Sequence, residues 1–170
     1  IYDRLVGSEM CIRDRTCGHC SNFHIKTLPQ LKKKYIDTGK VQLEFIDYPL
    51  DRLAVIAATL ARSIPTKDGY LEAVSILLKK QKQWAYSKNP LNELQSIAKL
   101  FGISSKKFND ISQNIPLMQE IVTKMEKESK NFDINSTPTF IVNDKYKISG
   151  ALSFKDFEKE LLKSINAKKS

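Results

Sequence analysis

Residues 16–24 read TCGHCSNFH and place two cysteines, Cys17 and Cys20, three positions apart. Apolar side chains continue after them at the spacing of a helix: Phe23, Leu28, Leu31 and Tyr35. This spacing predicts a helix over 16–35 with both cysteines in its first turn. Pro29 lies within the pattern and should kink the helix, because its ring removes one backbone hydrogen bond and clashes with the preceding turn.

A thiol in the first turn of a helix lies near unpaired backbone N–H groups and the positive end of the helix dipole, and both favour the thiolate. Gly18 and His19 separate the cysteines, and the imidazole of His19 can add a hydrogen bond or a positive charge. We expect Cys17 to be the exposed thiolate that attacks or is attacked. Cys20, one turn further in, is expected to resolve the mixed disulfide. Because these effects stabilise the reduced pair, they make its disulfide more oxidising.

A zinc site is the main alternative interpretation of the cysteines. Cys11, Cys17, Cys20 and His24 have the spacing C-x5-C-x2-C-x3-H, which could supply four zinc ligands to a small binding module. A buried, chemically inert cysteine pair is a second alternative. The zinc interpretation depends on Cys11, and it fails if that residue is not native to the protein.

The N-terminal residues do not resemble the start of a domain. Residues 5–15, LVGSEMCIRDR, back-translate codon by codon into a common transposase-based sequencing adapter. We therefore predict that residues 1–15 are a non-native segment and exclude them from the fold prediction. Cys11 is then expected to have no function, and a signal peptide or first strand of the natural protein is expected to be lost. An irregular native N-terminal arm is the alternative.

The rest of the chain alternates between strand and helix patterns. A strand is predicted over 41–48, where β-forming residues alternate and the pattern stops at Pro49. Five segments with helical spacing follow, separated by proline, glycine and turn-forming residues: 53–61, 70–84, 91–101, 106–112 and 117–130. The predicted elements after them are a strand over 139–142, an Asn-Asp-Lys turn, a strand over 146–149 and a closing helix over 154–165.

Four features together resemble the thioredoxin-like thiol oxidoreductases of the DsbA type: the TCGHC motif, a strand ending in DYPL, a helical block, and STPTFIVND before a hairpin and a final helix. The resemblance implies an α/β thioredoxin-like fold interrupted by an all-helical insertion. Residues 16–50 and 133–170 would form the thioredoxin-like domain, and 51–132 the insertion. The first central strand is expected to be missing or replaced, because the adapter-like segment stands where that strand belongs.

Thr137 and Pro138 directly precede the predicted strand over 139–142. A proline at this point cannot donate to the strand ladder, and most X–Pro bonds are trans. The resemblance implies instead that Pro138 is cis and faces the two cysteines. It also implies that the backbone of Thr137 binds an extended substrate chain.

The resemblance implies a thiol:disulfide oxidoreductase that forms or exchanges disulfides in secreted or periplasmic proteins of a bacterium. An oxidase is favoured over an isomerase or a reductase, although the Gly-His dipeptide equals that of protein disulfide isomerase. The Cys17–Cys20 disulfide would itself be the redox group, without a metal or an organic cofactor. The expected enzyme is a periplasmic monomer that acts on cysteine-containing proteins and is re-oxidised by a membrane partner.

Composition and charge restrict the other function classes. The 170 residues are 41% hydrophobic and 28% charged, which is ordinary for a globular domain. The longest apolar run, 53–61, is far shorter than the roughly 20 residues of a membrane-spanning helix. The net charge of +9 comes from scattered lysines rather than from a basic stripe with interleaved aromatics, so nucleic-acid binding is not expected.

Five further side chains have candidate roles. His24 follows Cys20 by one helical turn, and it either tunes the cysteines or lies at the surface. Glu44 and Asp47 are the candidates for a buried acid that takes a proton from Cys20. Trp84 and Tyr86 are expected to pack within the insertion rather than to bind a ligand.

Overall fold

The computed structural model describes residues 7–166, with side chains from residue 11 onward. Its strands are β1 (Gly7–Arg13), β2 (Val41–Asp47), β3 (Thr139–Val142) and β4 (Tyr146–Ser149). Its α-helices are α1 (Gly18–Lys26), α2 (Leu28–Leu31), α3 (Arg52–Arg62), α4 (Lys67–Lys79), α5 (Gln81–Ala85), α6 (Pro90–Lys99), α7 (Ser105–Ser112), α8 (Ile115–Phe132) and α9 (Phe154–Asn166). A π-helical turn, Lys32–Ile36, continues α2.

The strands form a mixed sheet in the order β2–β1–β3–β4. β1 is parallel to β2 and antiparallel to β3, so it is a central strand paired on both sides. Of the two expectations for the first central strand, that it is missing is wrong, because the adapter-like segment fills that position as β1. That this segment replaces a native strand stays a prediction. Backbone pairing depends little on side-chain identity, and Ile12 is apolar enough for the core, where it lies opposite Ile46 and Thr139. That residues 1–15 are non-native stays a prediction.

One face of the sheet is covered by α1, α2 and α9. Three rings meet there, those of Phe23 from α1, Phe140 from β3 and Phe157 from α9, with centroids 4.5–5.3 Å apart. Tilted and edge-on aromatic pairs at this distance add to the stabilisation from burial alone. This cluster fixes α1, and with it the two cysteines, against the middle of the sheet.

The helix that follows Cys17 is interrupted, as predicted. α1 ends at Lys26, and Pro29 lies in the first turn of α2. Backbone N–H groups in a first turn have no intrahelical acceptor, so a proline there costs no helical hydrogen bond. Thr27 separates the two helices, and its hydroxyl donates to Leu152 O at 2.8 Å. The break is thereby tied to the chain that leads into α9.

The helices α3 to α8 follow β2 without an intervening strand, so the predicted helical insertion is confirmed. They have a separate buried core that includes Leu60, Leu77 and Trp84 and also takes in Cys20. Cys20 therefore lies where α1 meets the insertion. Trp84 is fully buried as predicted, whereas the packing prediction for Tyr86 is wrong: this residue follows the end of α5 and is 71% exposed.

The helix predicted over 70–84 is divided at Lys80 into α4 and α5. Lys80 has φ −92° and ψ 9°, outside the helical range, although neither proline nor glycine occurs there. Among residues 7–166, no helix has both the length and the apolar content needed to span a bilayer.

Candidate active site

Cys17 is the N-cap residue of α1. Its backbone is extended, with φ −76° and ψ 118°, and its carbonyl oxygen accepts from Ser21 N at 3.2 Å, which begins the helix. Cys17 is half-buried, Gly18 and His19 are exposed, and Cys20 is buried one turn further in. The two thiols are therefore unequal, as predicted, because only Cys17 is accessible from solvent.

The surroundings of Cys17 hold its thiol pKa at about 5, well below the ordinary value. The largest contribution is a hydrogen bond from the Cys20 thiol, and the Thr137 side chain and the backbone N–H groups of Cys20 and His19 also lower the pKa. Partial burial opposes them, because it disfavours the charged form. The hydrogen bonds outweigh the burial, so Cys17 is a thiolate at neutral pH. The contribution of His19 comes from its backbone, whereas the sequence had suggested its imidazole.

The pKa of Cys20 is shifted in the opposite direction. The hydrogen bond that this thiol donates to Cys17 raises its pKa most, followed by burial and by the negative charge of Cys17. The pair therefore holds one proton, and that proton stays on Cys20. Cys17 is therefore the reactive thiolate, and Cys20 remains a protonated thiol.

The loop before β3 closes over Cys17. The Thr137–Pro138 peptide bond is cis, as the resemblance implies. Thr137 O lies 3.5 Å from Cys17 Sγ and accepts from it when the thiol is protonated. Pro138 is buried, and its carbonyl accepts from Gly150 N at 2.8 Å, which holds the loop against the end of β4. A backbone carbonyl is thereby fixed beside the reactive sulfur.

Asp14 is a buried acid beside the cysteines that the sequence prediction missed. Its carboxylate accepts from Thr16 N at 3.0 Å and from Thr16 Oγ1 at 2.8 Å. Burial raises its pKa, the bonds to Thr16 lower it, and the charges of Asp51 and Cys17 raise it further. The backbone of Asp14 also makes a hydrogen bond to Cys20. Residue 14 falls in the adapter-like segment, which was excluded from the fold prediction, so no signal pointed to it.

The two acids proposed from the sequence are engaged elsewhere. Glu44 is exposed and pairs with Lys124 at 3.0 Å. Asp47 is buried, but its carboxylate lies 2.5 Å from Arg15 Nη2 and 2.8 Å from Arg62 Nε. Strand alternation indicated that one of these side chains could be buried, but it could not show that two arginines would meet it.

His24 is buried on α1. Burial, followed by the positive charges of Arg13, Lys79 and Arg15, lowers its pKa to about 3, so the imidazole is neutral. His24 lines a groove of about 740 Å³ between α1, β2 and α4 that neither Cys17 nor Cys20 lines. The structure therefore supports neither a tuning role nor a surface position for this histidine.

The proposed zinc ligands do not come together. Within residues 11–166, no three His, Cys, Asp or Glu side chains converge as a metal site. The cationic surroundings of His24 also oppose the binding of a further positive charge.

Comparison with protein families agrees with this geometry. A family model described as thioredoxin matches residues 12–163. The matched region includes both cysteines, the insertion and the Thr137–Pro138 loop. It begins near the end of the adapter-like segment.

Individual relatives carry names from disulfide chemistry. A Rickettsia typhi protein named as a protein-disulfide oxidoreductase is 30% identical over 128 residues, which are 75% of this chain and 47% of that protein. A Bacillus anthracis protein named as disulfide bond formation protein D is 27% identical over 160 residues, 90% of this chain and 69% of that protein. The chain thus spans about half the length of the Rickettsia relative.

The fold also resembles a solved structure. The crystal structure of Wolbachia pipientis alpha-DsbA1 superposes with a TM-score of 0.85 and is 28% identical in sequence. The superposition covers 95% of this chain and 86% of the other. The thioredoxin-like fold predicted from the sequence is thereby confirmed.

Proposed function

We propose that this chain, which belongs to the thioredoxin family, catalyses thiol–disulfide exchange through Cys17 and Cys20. The observation on which the proposal depends is that two thiols one helical turn apart have opposite pKa shifts. A low-pKa sulfur is a good leaving group, and a neighbouring shielded thiol can displace whatever becomes attached to it. The similarity to relatives named for protein-disulfide chemistry supports the same activity.

In the proposed reaction a client protein is oxidised by two electrons. A client thiolate attacks Cys17 Sγ, the Cys17–Cys20 bond breaks, and Cys20 leaves with the electron pair and takes up a proton. A second client thiolate then attacks the client sulfur of the mixed disulfide, and Cys17 leaves as a thiolate. The client gains a disulfide and releases two protons, one of which Cys20 keeps, while the chain is reduced.

We infer the oxidase direction from the stabilisation of the reduced pair. Hydrogen bonds to the Cys17 thiolate exist only after the disulfide has opened, so they favour reduction of the chain and oxidation of its client. Gly18 and His19 form the start of α1 between the two cysteines, and the backbone N–H of His19 is one of the donors to the Cys17 thiolate. Isomerase and reductase activity are the alternatives that the experiment below distinguishes.

We propose Thr137 and Pro138 as the client-binding residues. Thr137 O lies 3.5 Å from Cys17 Sγ, so a client cysteine bonded to Cys17 brings its own backbone within reach of this carbonyl. An extended client segment can then pair with the loop as an added strand. The buried Pro138 fixes the loop from which that carbonyl projects.

The proposed reaction needs no metal and no organic cofactor, because the Cys17–Cys20 disulfide is the redox group. Its substrates would be cysteine-containing proteins outside the cytoplasm. A membrane partner bearing a disulfide would accept the two electrons and restore the oxidised form. We propose a periplasmic monomer as the working state.

The test compares three assays on one set of variants. An oxidase promotes refolding of reduced, denatured ribonuclease, a reductase precipitates insulin in dithiothreitol, and an isomerase rescues scrambled ribonuclease. Cys17→Ser should abolish activity in all three assays, and Cys20→Ser should accumulate a mixed disulfide with the client. Cys11→Ala is the control and should keep the activity. Full activity in Cys17→Ser, or one tightly held zinc per chain, would overturn the proposal.

A further inference from the structure

Gln81 joins the helical insertion to the active-site turn. It is the first residue of α5, it is buried, and its side-chain amide reaches the backbone on both sides of Thr16. Gln81 Nε2 donates to Arg15 O at 2.7 Å and to Cys17 O at 2.9 Å. Both hydrogens of the amide are therefore used on the segment that positions the reactive cysteine.

We propose that Gln81 is a positioning residue that keeps Cys17 Sγ against the start of α1. This inference rests on the proposed role of Cys17 and extends it to a residue of the insertion. Cys17 has no side-chain cap of the usual kind, because its side chain is the reactive thiol. The amide of Gln81 instead holds the carbonyl of this N-cap residue from outside α1.

The conformation of Cys17 explains why this carbonyl matters. The sulfur gains its low pKa partly from the backbone N–H groups of His19 and Cys20, which reach it only while Cys17 keeps its extended backbone. Its carbonyl also accepts from Ser21 N at 3.2 Å, so two donors fix one peptide plane. Loss of the Gln81 donor would let that plane rotate and move the sulfur away from the N–H groups.

The junction between α4 and α5, which carries Gln81, is itself held in place by hydrogen bonds. α4 ends at Lys79, and side-chain donors reach two of its last carbonyls. Ser21 Oγ donates to Leu78 O at 2.7 Å, and Trp84 Nε1 donates to Leu77 O at 2.8 Å. These bonds hold the α4–α5 junction against α1, so Gln81 reaches the active site from a rigid base.

Gln81→Met tests the proposal, because it keeps the length of the side chain and removes both donated hydrogens. Gln83→Met is the matched control on the exposed side of the same helix. The pKa of Cys17 is read from the rate of iodoacetamide alkylation between pH 4 and 9. We expect Gln81→Met to raise that pKa by about one unit, which slows alkylation at pH 5 about fivefold and leaves the rate at pH 9 unchanged. Gln83→Met should follow the parent curve.

A purely structural role would lower the melting temperature of Gln81→Met without moving the alkylation curve, and that result overturns the inference. Gln81→Asn, which retains the amide but is one methylene shorter, gives a second and milder test of the same shift. In the unmodified protein, the side-chain NH₂ resonances of Gln81 should titrate with the midpoint of Cys17. Resonances that do not move would also overturn it. If the alkylation curve of the unmodified protein has no midpoint at low pH, the proposed function itself is contradicted. If that midpoint is low and Gln81→Met does not change it, only the role of Gln81 is refuted.

Discussion

The carbonyl oxygen of Thr137 lies 3.5 Å from the sulfur of Cys17, although 120 positions separate the two residues in the chain. The contact brings together the start of α1 and the loop before β3 across the ends of two paired strands. It places a backbone carbonyl, the proposed acceptor for a client, beside the sulfur that a client would attack. The reactive sulfur and the proposed client-binding groups therefore come from opposite ends of the sequence and meet only in the folded chain.

The largest contribution to the low pKa of Cys17 is predicted to come from the Cys20 thiol, and this can be measured with two substitutions. Cys20→Ala removes the donor and should raise the Cys17 pKa clearly above 5. Cys20→Ser keeps a hydroxyl donor at the same position and should raise the pKa less. Thiolate absorbance at 240 nm during a pH titration gives both values. Equal pKa values in the two variants would contradict the assigned hydrogen bond.

The sequence was sufficient for the elements whose signals are local. The hairpin of β3 and β4 has the predicted bounds, because a short apolar run, a turn and an alternating strand lie next to one another. A helix is present after Cys17 because an apolar helical pattern follows it, although α1 begins at Gly18, with Cys17 as its N-cap residue. The break at Lys80 had no such signal, since it depends on bonds from Trp84 and Ser21 to the end of α4.

The contacts of the buried polar groups were the part of the site that could not be predicted from the sequence. Asp47 was a candidate for the acid beside Cys20, but its partners Arg15 and Arg62 come from other elements and draw it away. Asp14 lies close to the cysteines only because residues of the adapter-like segment pair as β1. Contacts of this kind follow from tertiary packing, which periodicity does not encode.

Arg13 offers a test of how well the N-terminal segment suits the position of β1. Its guanidinium is buried, its Nε and Nη2 atoms have no hydrogen-bond partner, and burial lowers its pKa to about 10. The ring of Phe45, 3.5 Å away, offsets part of this cost. Because unpaired buried donors are destabilising, Arg13→Leu should raise the free energy of unfolding by about 1–2 kcal/mol in urea titrations. The control Arg52→Leu, at an exposed position, should change the free energy of unfolding by less than about 0.5 kcal/mol. If Arg13→Leu instead lowers the free energy of unfolding, Arg13 is well accommodated in β1.

Trp84 and Tyr86 lie two positions apart at the end of α5 and should respond very differently to truncation. Trp84 is fully buried in the core of the insertion, and its Nε1 donates to Leu77 O at 2.8 Å. Trp84→Ala should lower the free energy of unfolding by about 3–5 kcal/mol, because it leaves a cavity and an unpaired carbonyl. Tyr86→Ala, at a position 71% exposed, should change it by less than about 0.5 kcal/mol. Chemical unfolding of both variants tests the contrast, and equal effects would be inconsistent with this packing.

The pH dependence of the reduced chain should differ from that of the oxidised chain in one defined window. Folding lowers the pKa of Cys17 from 9.0 to about 5, so its thiolate stabilises the reduced fold above pH 9 and this stabilisation is lost as the pH falls through about 5. Cys20 has a raised pKa, so its effect on stability appears only above its unfolded pKa and does not change within this window. In the disulfide form neither sulfur titrates, and the remaining groups are common to both forms. The melting temperature of the reduced chain minus that of the oxidised chain should therefore decrease steadily from pH 8 to pH 5. The reduced Cys17→Ala variant should follow the pH dependence of the oxidised chain, and a difference that stays constant over the window would show that Cys17 is not held as a thiolate.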